Sequence, residues 1–330
     1  MKRDSNIDLI RITGFFFVVC VHAYLYNGWF FENQTGILMW LANSFRWLVF
    51  SCNGIFMLLT GYLMTVKKWD RRFYRSLPAV ILSYIIISAI SIPIRHFYLD
   101  DAQTFAVWLE RFMSFEGSHY GWYVEMYIGL LLLAPILNAA MDSLGEKGCR
   151  KMLVTMLALT ALPNLTPLII APDYWEHIYP LTYYVIGAYI RRYGIDIGRK
   201  YPVMGITLLP MALGVATLIS TDGYLTNGWW QGYGGSYVVL IAVSVFLLIK
   251  SIKIPRFMEK TLQFMAGGTF EGYLISHIFD AKTYFAIPQW RTPEMWLVSF
   301  FCITLPIFFS SLLCGKVINW CVNMCLRRNG

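Results

Sequence analysis

Arg11 and His22 are the ionisable side chains at the start and in the middle of one long apolar run, residues 12–31. In an α-helix an interval of eleven residues makes about three turns plus about 20°, so both side chains lie on one face. His22 then lies about 16 Å beyond Arg11, roughly halfway through a hydrocarbon layer of about 30 Å. An imidazole at that depth is costly unless it faces the protein interior or a water-filled cavity. The sequence therefore gives two interpretations of His22: a functional group that transfers protons, or a buried ring that bonds to a neighbouring helix.

A second candidate group consists of Arg71, Arg72 and Arg75, which follow the next long apolar run. On a helix Arg72 and Arg75 project from one side, because they are three residues apart. Guanidinium groups hold phosphate oxygens in a forked geometry that lysine does not provide. The pattern is therefore a candidate anion site, although basic residues that only set the orientation of a membrane protein give the same pattern.

Further polar residues lie within or beside other apolar runs. Acids and imidazoles inside a membrane usually face the bundle interior, as partners or as proton carriers. Asp8 lies three residues before Arg11, a spacing that suits an ion pair holding the guanidinium. Glu125 is expected about 9 Å deep in a run that begins at His119. The candidates for support or for the acceptor side are Asp8, Asn53, Trp122, Tyr123, Glu125, Tyr273 and His277.

The composition indicates that helices in a membrane position these side chains. Hydrophobic residues make up 57% of the 330 residues and charged residues 14%, and the mean hydropathy is +0.53. Such values exclude an ordinary soluble protein and predict an all-α membrane protein, a polytopic bundle of about ten transmembrane helices. Gly54 and Gly61 should allow close helix packing. The expected spans are residues 12–31, 43–64, 77–97, 119–138, 151–171, 177–190, 203–219, 234–250, 264–286 and 295–320.

The distribution of basic residues predicts that both termini are cytoplasmic. With Met1 inside, the basic residues fall on the cytoplasmic side with few exceptions, in agreement with the positive-inside rule. The net charge of +8 is then explained by topology and by attraction to anionic lipid, without nucleic acid. The connections are too short for a soluble domain, so we expect one transmembrane domain over residues 1–330 and a multi-pass protein of the cytoplasmic membrane. The exceptions are Arg46, Arg95, Arg111, Lys282 and Arg291.

The seven cysteines do not predict a metal site. Cys321 and Cys325 lack nearby His or further Cys residues, so the spacing typical of zinc ligands is missing. We expect unpaired thiols, no metal and no permanently bound cofactor.

Taken together, the motifs resemble those of the acyltransferase-3 family, which consists of multi-spanning membrane acyltransferases. The more specific motifs are Arg11 followed by His22 after ten intervening residues, and the pair Arg72 and Arg75. The likeness covers nearly the whole chain and is to the stand-alone surface-polysaccharide O-acyltransferases. The looser motifs, in the family's order, are Asp8 to Arg11, Phe56 to Tyr62, Trp122-Tyr123 with Pro135, and Tyr273 to His277, where Ser276 sets the histidine one residue later than usual.

The resemblance implies transfer of an acyl group, acetyl by likeness to the family, from cytoplasmic acyl-CoA to a hydroxyl. The implied acceptor is a cell-surface glycan or its lipid-linked precursor, and membrane lipid surrounds the protein. By the same likeness His22 is the catalytic base and Arg11 its partner. Arg72 and Arg75, with the neighbouring Arg71, bind the acyl-CoA donor. The oligomeric state stays open.

The chemistry of imidazole agrees with this function. Its near-neutral pKa suits it to take the proton of an attacking hydroxyl and to return it to the leaving thiolate. Direct transfer with His22 as base and a transient acyl-imidazole intermediate are both compatible with the sequence. The alternative function is a proton-coupled transporter of a small solute or a lipid-linked sugar, in which His22, Glu125, Glu271 and His277 form a relay. No internal repeat, the usual mark of such transporters, is visible.

Overall fold

A computed structural model describes residues 3–26, 36–70, 73–165, 172–221, 232–286 and 293–328. Within these ranges the chain forms helices joined by turns and loops, without strands. The α-helices are α1 (Ser5–Tyr26), α2 (Ile37–Val49), α3 (Cys52–Met64), α4 (Leu77–Tyr98), α5 (Phe105–Met113), α6 (Trp122–Thr160), α7 (Tyr179–Tyr193), α8 (Lys200–Ser220), α9 (Ser236–Lys250), α10 (Arg256–Ala266), α11 (Thr269–Ile275), α12 (His277–Ala286), α13 (Trp296–Ser299) and α14 (Leu305–Arg328).

Six helical stretches among the described residues are long and apolar enough to cross a membrane. The stretch Ser236–Lys250 is apolar but shorter. These findings confirm an all-helical membrane protein. The number of ten spans and the cytoplasmic termini stay predictions. The six stretches are Ser5–Tyr26, Ile37–Met64, Phe73–Tyr98, Trp122–Thr160, Lys200–Ser220 and Trp296–Leu326.

Glycine and serine mark two places where helices within the expected spans bend or end. Residues 119–138 and 151–171 were expected as separate spans, and α6 does consist of two helices joined across a kink at Gly145 (φ 61°), between those runs. At this positive φ a side chain would be strained, so glycine permits the break. The run 264–286 is divided into α10, α11 and α12, and the turn at Ser276 separates the last two. The helix α6 begins at Trp122 and not at His119, so Glu125 lies in its first turn.

The described residues divide into two compact units that interleave along the chain. Unit 1 comprises Met1–Phe17, Trp29–Trp69 and Leu130–Ile254, and unit 2 comprises Val18–Gly28, Asp70–Gly129 and Pro255–Gly330. Neither unit is one continuous stretch, so the division does not separate two domains that follow one another in sequence.

In unit 1 the core is built on the contact between α3 and α7. A Cβ atom on Gly61 would lie 2.0 Å from the carbonyl oxygen of Tyr184, and one on Gly187 would lie 2.0 Å from that of Leu58. A Cβ atom on Gly54 would meet the ring of Tyr183 at 2.5 Å. The predicted role of Gly54 and Gly61 in close helix packing is therefore confirmed.

This contact predicts a large difference between two glycine substitutions. Gly61→Ala should lower the free energy of unfolding by about 1–3 kcal/mol, because the backbone of α7 must move away from the new methyl group. Gly129→Ala is the matched control, since a Cβ atom there meets nothing within 4 Å. Thermal unfolding in detergent measures both; an equal midpoint for Gly61→Ala and wild type would contradict the close packing of α3 on α7.

In unit 2 the helix α11 is fixed between α4 and α14. A Cβ atom on Gly315 of α14 would lie 2.3 Å from the carbonyl oxygen of Gly268, directly before α11. The buried carboxylate of Glu271 accepts hydrogen bonds from Ser83 of α4 at 3.0 Å and from Asn319 of α14 at 3.1 Å. These contacts hold α11, and α12 follows it directly.

Candidate active site

His22 lies in the part of α1 that belongs to unit 2, close to a buried carboxylate. Its Nδ1 atom lies 3.4 Å from Oδ2 of Asp280, which α12 supplies. The side chain of His22 is 12% exposed and that of Asp280 is fully buried. Within the described residues Nδ1 of His22 makes no hydrogen bond of good geometry. Catalytic hydrogen bonds are often long without substrate, so this distance suits a carboxylate–imidazole pair.

Tyr120 contacts both members of this pair. Its hydroxyl donates a hydrogen bond to Oδ2 of Asp280 at 3.0 Å. Its ring stacks on the imidazole of His22, with centroids 3.9 Å apart and an interplanar angle of 14°. A stacked ring restricts rotation of the imidazole, so Tyr120, Asp280 and His22 form one packed cluster.

His277 adds a second imidazole beside this cluster. Its Nδ1 atom lies 3.3 Å from the hydroxyl of Tyr26, and its ring meets that of Tyr120 edge-on with centroids 5.3 Å apart. The ring of His119 stacks on that of His277, with centroids 4.1 Å apart. His277 is buried whereas His119 is exposed, so the group of rings extends from the buried pair to the surface of unit 2.

The segment that carries His119 and Tyr120 is held by the end of α4. The guanidinium of Arg95 donates hydrogen bonds to the carbonyl oxygens of Glu116, at 2.7 Å, and Gly117, at 3.3 Å. Arg95 also bonds to Asp101 at 2.6 Å. Burial alone would raise the pKa of the Asp101 carboxyl, but hydrogen bonds from Arg111, Arg95 and Gln103 outweigh it and lower that pKa. Asp101 therefore stays ionised and keeps Arg95 in place.

Arg11 lies in the other part of α1, in unit 1, where its guanidinium is 3.7 Å from Asp8. The predicted Asp8–Arg11 pair is thus confirmed, but Asp8 binds Arg3 more closely, with two hydrogen bonds of 2.7 Å. Burial and the positive charge of Arg11 lower the pKa of Lys67. Arg11 and Lys67 are therefore close enough to interact, and Asp8, the acid beside Arg11, is bound to Arg3 as well.

The paired arginines are only partly described. Arg71 and Arg72 lie outside the described residues. Arg75 lies in the short 3₁₀ helix Phe73–Ser76 of unit 2 and is exposed. Its exposure leaves it accessible to an anion in solution.

The structure brings some of the other predicted residues to the cluster in unit 2. Tyr273 donates a hydrogen bond to the carbonyl oxygen of Tyr120 at 3.0 Å, and the ring of Tyr123 packs edge-on against Tyr273. Trp122 and Glu125, in the first turn of α6, are exposed. Their predicted place on the acceptor side therefore gains no support from packing. Asn53 is buried in α3 of unit 1.

Sequence reasoning missed Asp280, Tyr120 and Tyr26. The rule that marked His22, an ionisable group inside an apolar run, applies equally to Asp280, which lies three residues after His277. The hydroxyls of Tyr120 and Tyr26 carry no comparable signal, because tyrosines are frequent in this chain and in membrane proteins generally. Among the described residues no group of three or more His, Cys, Asp or Glu residues is arranged to hold a metal ion.

Chemically, the cluster is suited to take a proton from a hydroxyl. Asp280 next to Nδ1 favours the tautomer in which Nδ1 carries the proton and Nε2 presents its lone pair. The same carboxylate stabilises the imidazolium that forms when Nε2 accepts a proton. His22 with Asp280 thus has the components of a general base.

Comparison with known proteins identifies one family. The sequence profile described as "Acyltransferase domain" matches residues 4–316, nearly the whole chain. No curated protein and no solved structure matches the chain.

Proposed function

The chain belongs to the acyltransferase-3 family of membrane acyltransferases, and from this premise we propose that it is an O-acyltransferase of the cell membrane. It moves an acyl group, acetyl by family likeness, from acyl-CoA on the cytoplasmic side to a hydroxyl of a cell-surface glycan or its lipid-linked precursor. The observation that carries this proposal is the buried imidazole–carboxylate pair of His22 and Asp280.

In the proposed reaction His22 is the base. Nε2 takes the proton of the acceptor hydroxyl while the oxygen attacks the thioester carbonyl. The C–S bond then breaks, and the proton passes from the imidazolium to the thiolate of CoA, so that the products are an ester and free thiol. In the alternative route Nε2 itself attacks the thioester and forms an acyl-imidazole intermediate. Exchange of free CoA into acetyl-CoA in the absence of acceptor distinguishes that route.

The arginines that follow the second apolar run are proposed to bind the donor. CoA carries several phosphate groups, which arginine binds through charge-assisted hydrogen bonds. Arg75 is exposed. We assign Arg75, with Arg72 and Arg71 by family likeness, to the phosphates of CoA, and Arg11 stays the partner of His22 by the same likeness.

The function is tested by release of thiol from acetyl-CoA by purified protein in nanodiscs, with simple sugars and isolated surface glycan as acceptors. Acceptor-dependent release, together with acetyl ester on the glycan, supports the proposal. If glycan from the native cell surface gives no release and CoA does not raise the unfolding temperature of the protein, the chain is not a CoA-dependent transferase.

The donor assignment predicts an effect on KM. Arg75→Glu should raise the KM for acetyl-CoA about tenfold, as expected when one charge-assisted hydrogen bond to a phosphate is lost, with little change in kcat. Arg150→Glu is the matched control. Arg150 is exposed, and among the described residues its ion pair is with Glu146, one helical turn away. An unchanged KM in Arg75→Glu would remove Arg75 from the donor site.

A further inference from the structure

Tyr120 is distinguished by touching both His22 and Asp280 at once. Its hydroxyl donates to the same carboxylate oxygen, Oδ2, that faces Nδ1 of His22. Its ring covers one face of the imidazole at 3.9 Å. One side chain therefore fixes the position of the acid through its hydroxyl and the plane of the base through its ring.

The backbone around Tyr120 is itself fixed by two hydrogen bonds to α11. The hydroxyl of Tyr273 on α11 bonds to the carbonyl oxygen of Tyr120, and that of Ser118 bonds back to the carbonyl oxygen of Leu274 at 3.1 Å. A Cβ atom on Gly121 would lie 1.9 Å from the carbonyl oxygen of Phe115, so the turn closes tightly there. These contacts hold the backbone that carries Tyr120.

The hydroxyl of Tyr120 has a single proton, and it donates this proton to Asp280. Tyr26 and His277 lie beside this bond: the hydroxyl of Tyr26 is 3.3 Å from Nδ1 of His277, and the ring of His277 meets that of Tyr120 edge-on.

The bond from Tyr120 determines what Asp280 offers to His22. A carboxylate oxygen has two lone pairs, so Oδ2 of Asp280 is able to accept from Tyr120 and from Nδ1–H of His22 at once. Nε2 of His22 then keeps its lone pair for a hydroxyl of the acceptor. Other charged or titratable groups that act on this cluster among the described residues of unit 2 are His119 on the segment before α6, Arg95 on α4 and Asp101 after α4.

We propose that Tyr120 is a positioning residue of the transfer reaction, which holds Asp280 and the ring of His22 in the arrangement for proton abstraction. It acts through these two side chains and need not touch the substrate. The inference rests on the proposed function, since it assigns a role within the same reaction.

The first experiment compares Tyr120→Phe, which keeps the ring and removes the hydroxyl, with wild type. We expect kcat to fall about 10–100-fold, as for the loss of a hydrogen bond to a charged group, while the KM for acetyl-CoA stays unchanged. The matched control is Tyr184→Phe, which removes another buried hydroxyl, bonded to Asn138 at 2.9 Å in unit 1. An unchanged kcat in Tyr120→Phe, or an equal loss in Tyr184→Phe, would overturn the inference.

The second experiment is a double-mutant cycle with Asp280→Ala. If Tyr120 acts through Asp280, its hydroxyl has no role once the carboxylate is gone, and the double variant should be as active as Asp280→Ala alone. If Tyr120→Phe multiplies the loss by the same factor in both backgrounds, its effect is only structural and the inference fails.

The third measurement uses the wild-type protein, so its outcome does not depend on whether a variant folds. In protein labelled with ¹⁵N histidine, His22 at neutral pH should show a protonated Nδ1 and an unprotonated Nε2. The opposite tautomer would overturn the inference. Thiol release by wild type that depends on His22 tests the function separately. If wild type is active and Tyr120→Phe has the same kcat, only the role of Tyr120 is refuted and the proposed function stands.

Discussion

Replacing His22 by alanine should lower kcat for acyl transfer by about 10²–10⁴-fold, the range that general-base catalysis contributes. The reason is position: among the described residues His22 is the imidazole whose Nδ1 faces Asp280, whereas Nδ1 of His277 faces Tyr26. The KM for acetyl-CoA should change little, because the donor phosphates are assigned to the basic residues.

Two companion variants make this result specific. His22→Gln keeps a side chain that bonds to Asp280 but cannot accept a proton at neutral pH, so it should be as inactive as His22→Ala. His177→Ala removes an exposed imidazole of unit 1 and should leave thiol release at the wild-type level. Retention of full activity by correctly inserted His22→Ala would show that another group is the base.

Replacing Asp280 by asparagine should lower kcat by about 10²–10⁴-fold, by analogy with other carboxylate–imidazole pairs. The amide has nearly the shape of the carboxylate and still accepts the hydrogen bond from Tyr120. It lacks the negative charge that stabilises the imidazolium in the transition state, so the chemical step is affected and binding of the donor is not.

Unit 2 offers a matched control for this substitution. Glu271 is another buried carboxylate, but it is bonded to Ser83 and Asn319. Glu271→Gln keeps an acceptor for both bonds, so it should retain nearly wild-type kcat and unfold at a similar temperature. Equal losses in Asp280→Asn and Glu271→Gln would mean that loss of any buried charge in this unit impairs folding, and the pair with His22 would lose its support.

The candidate base was predictable from the sequence because it depends on local spacing. His22 follows Arg11 on one helix, and an ionisable group in an apolar run is costly unless it has a partner or a function. The pair of Asp8 with Arg11 is local in the same way. The close approach of α3 to α7 was also predictable at Gly54 and Gly61, where small residues mark tight contacts between helices.

The partner of the base was not predictable, because it depends on tertiary packing. Asp280 comes from the far end of the chain, on α12, and no local spacing relates it to His22 on α1. The break at Gly145 lies between the runs 119–138 and 151–171, which hydropathy already separates; the backbone dihedral angles at the break are what hydropathy does not show.

The crossing of α11 with α14 has an evolutionary consequence. Gly268 and Gly315 are already the smallest residues, so a larger side chain at either position cannot be accommodated by shrinking the other. Substitutions in most cores can be compensated by a second change of volume nearby, but that route is closed here. Among homologues both positions should therefore stay glycine unless the two helices lie farther apart. The surrounding apolar positions should vary more. The lineage would then keep α12, and the carboxylate that faces His22, through residues that take no part in the chemistry.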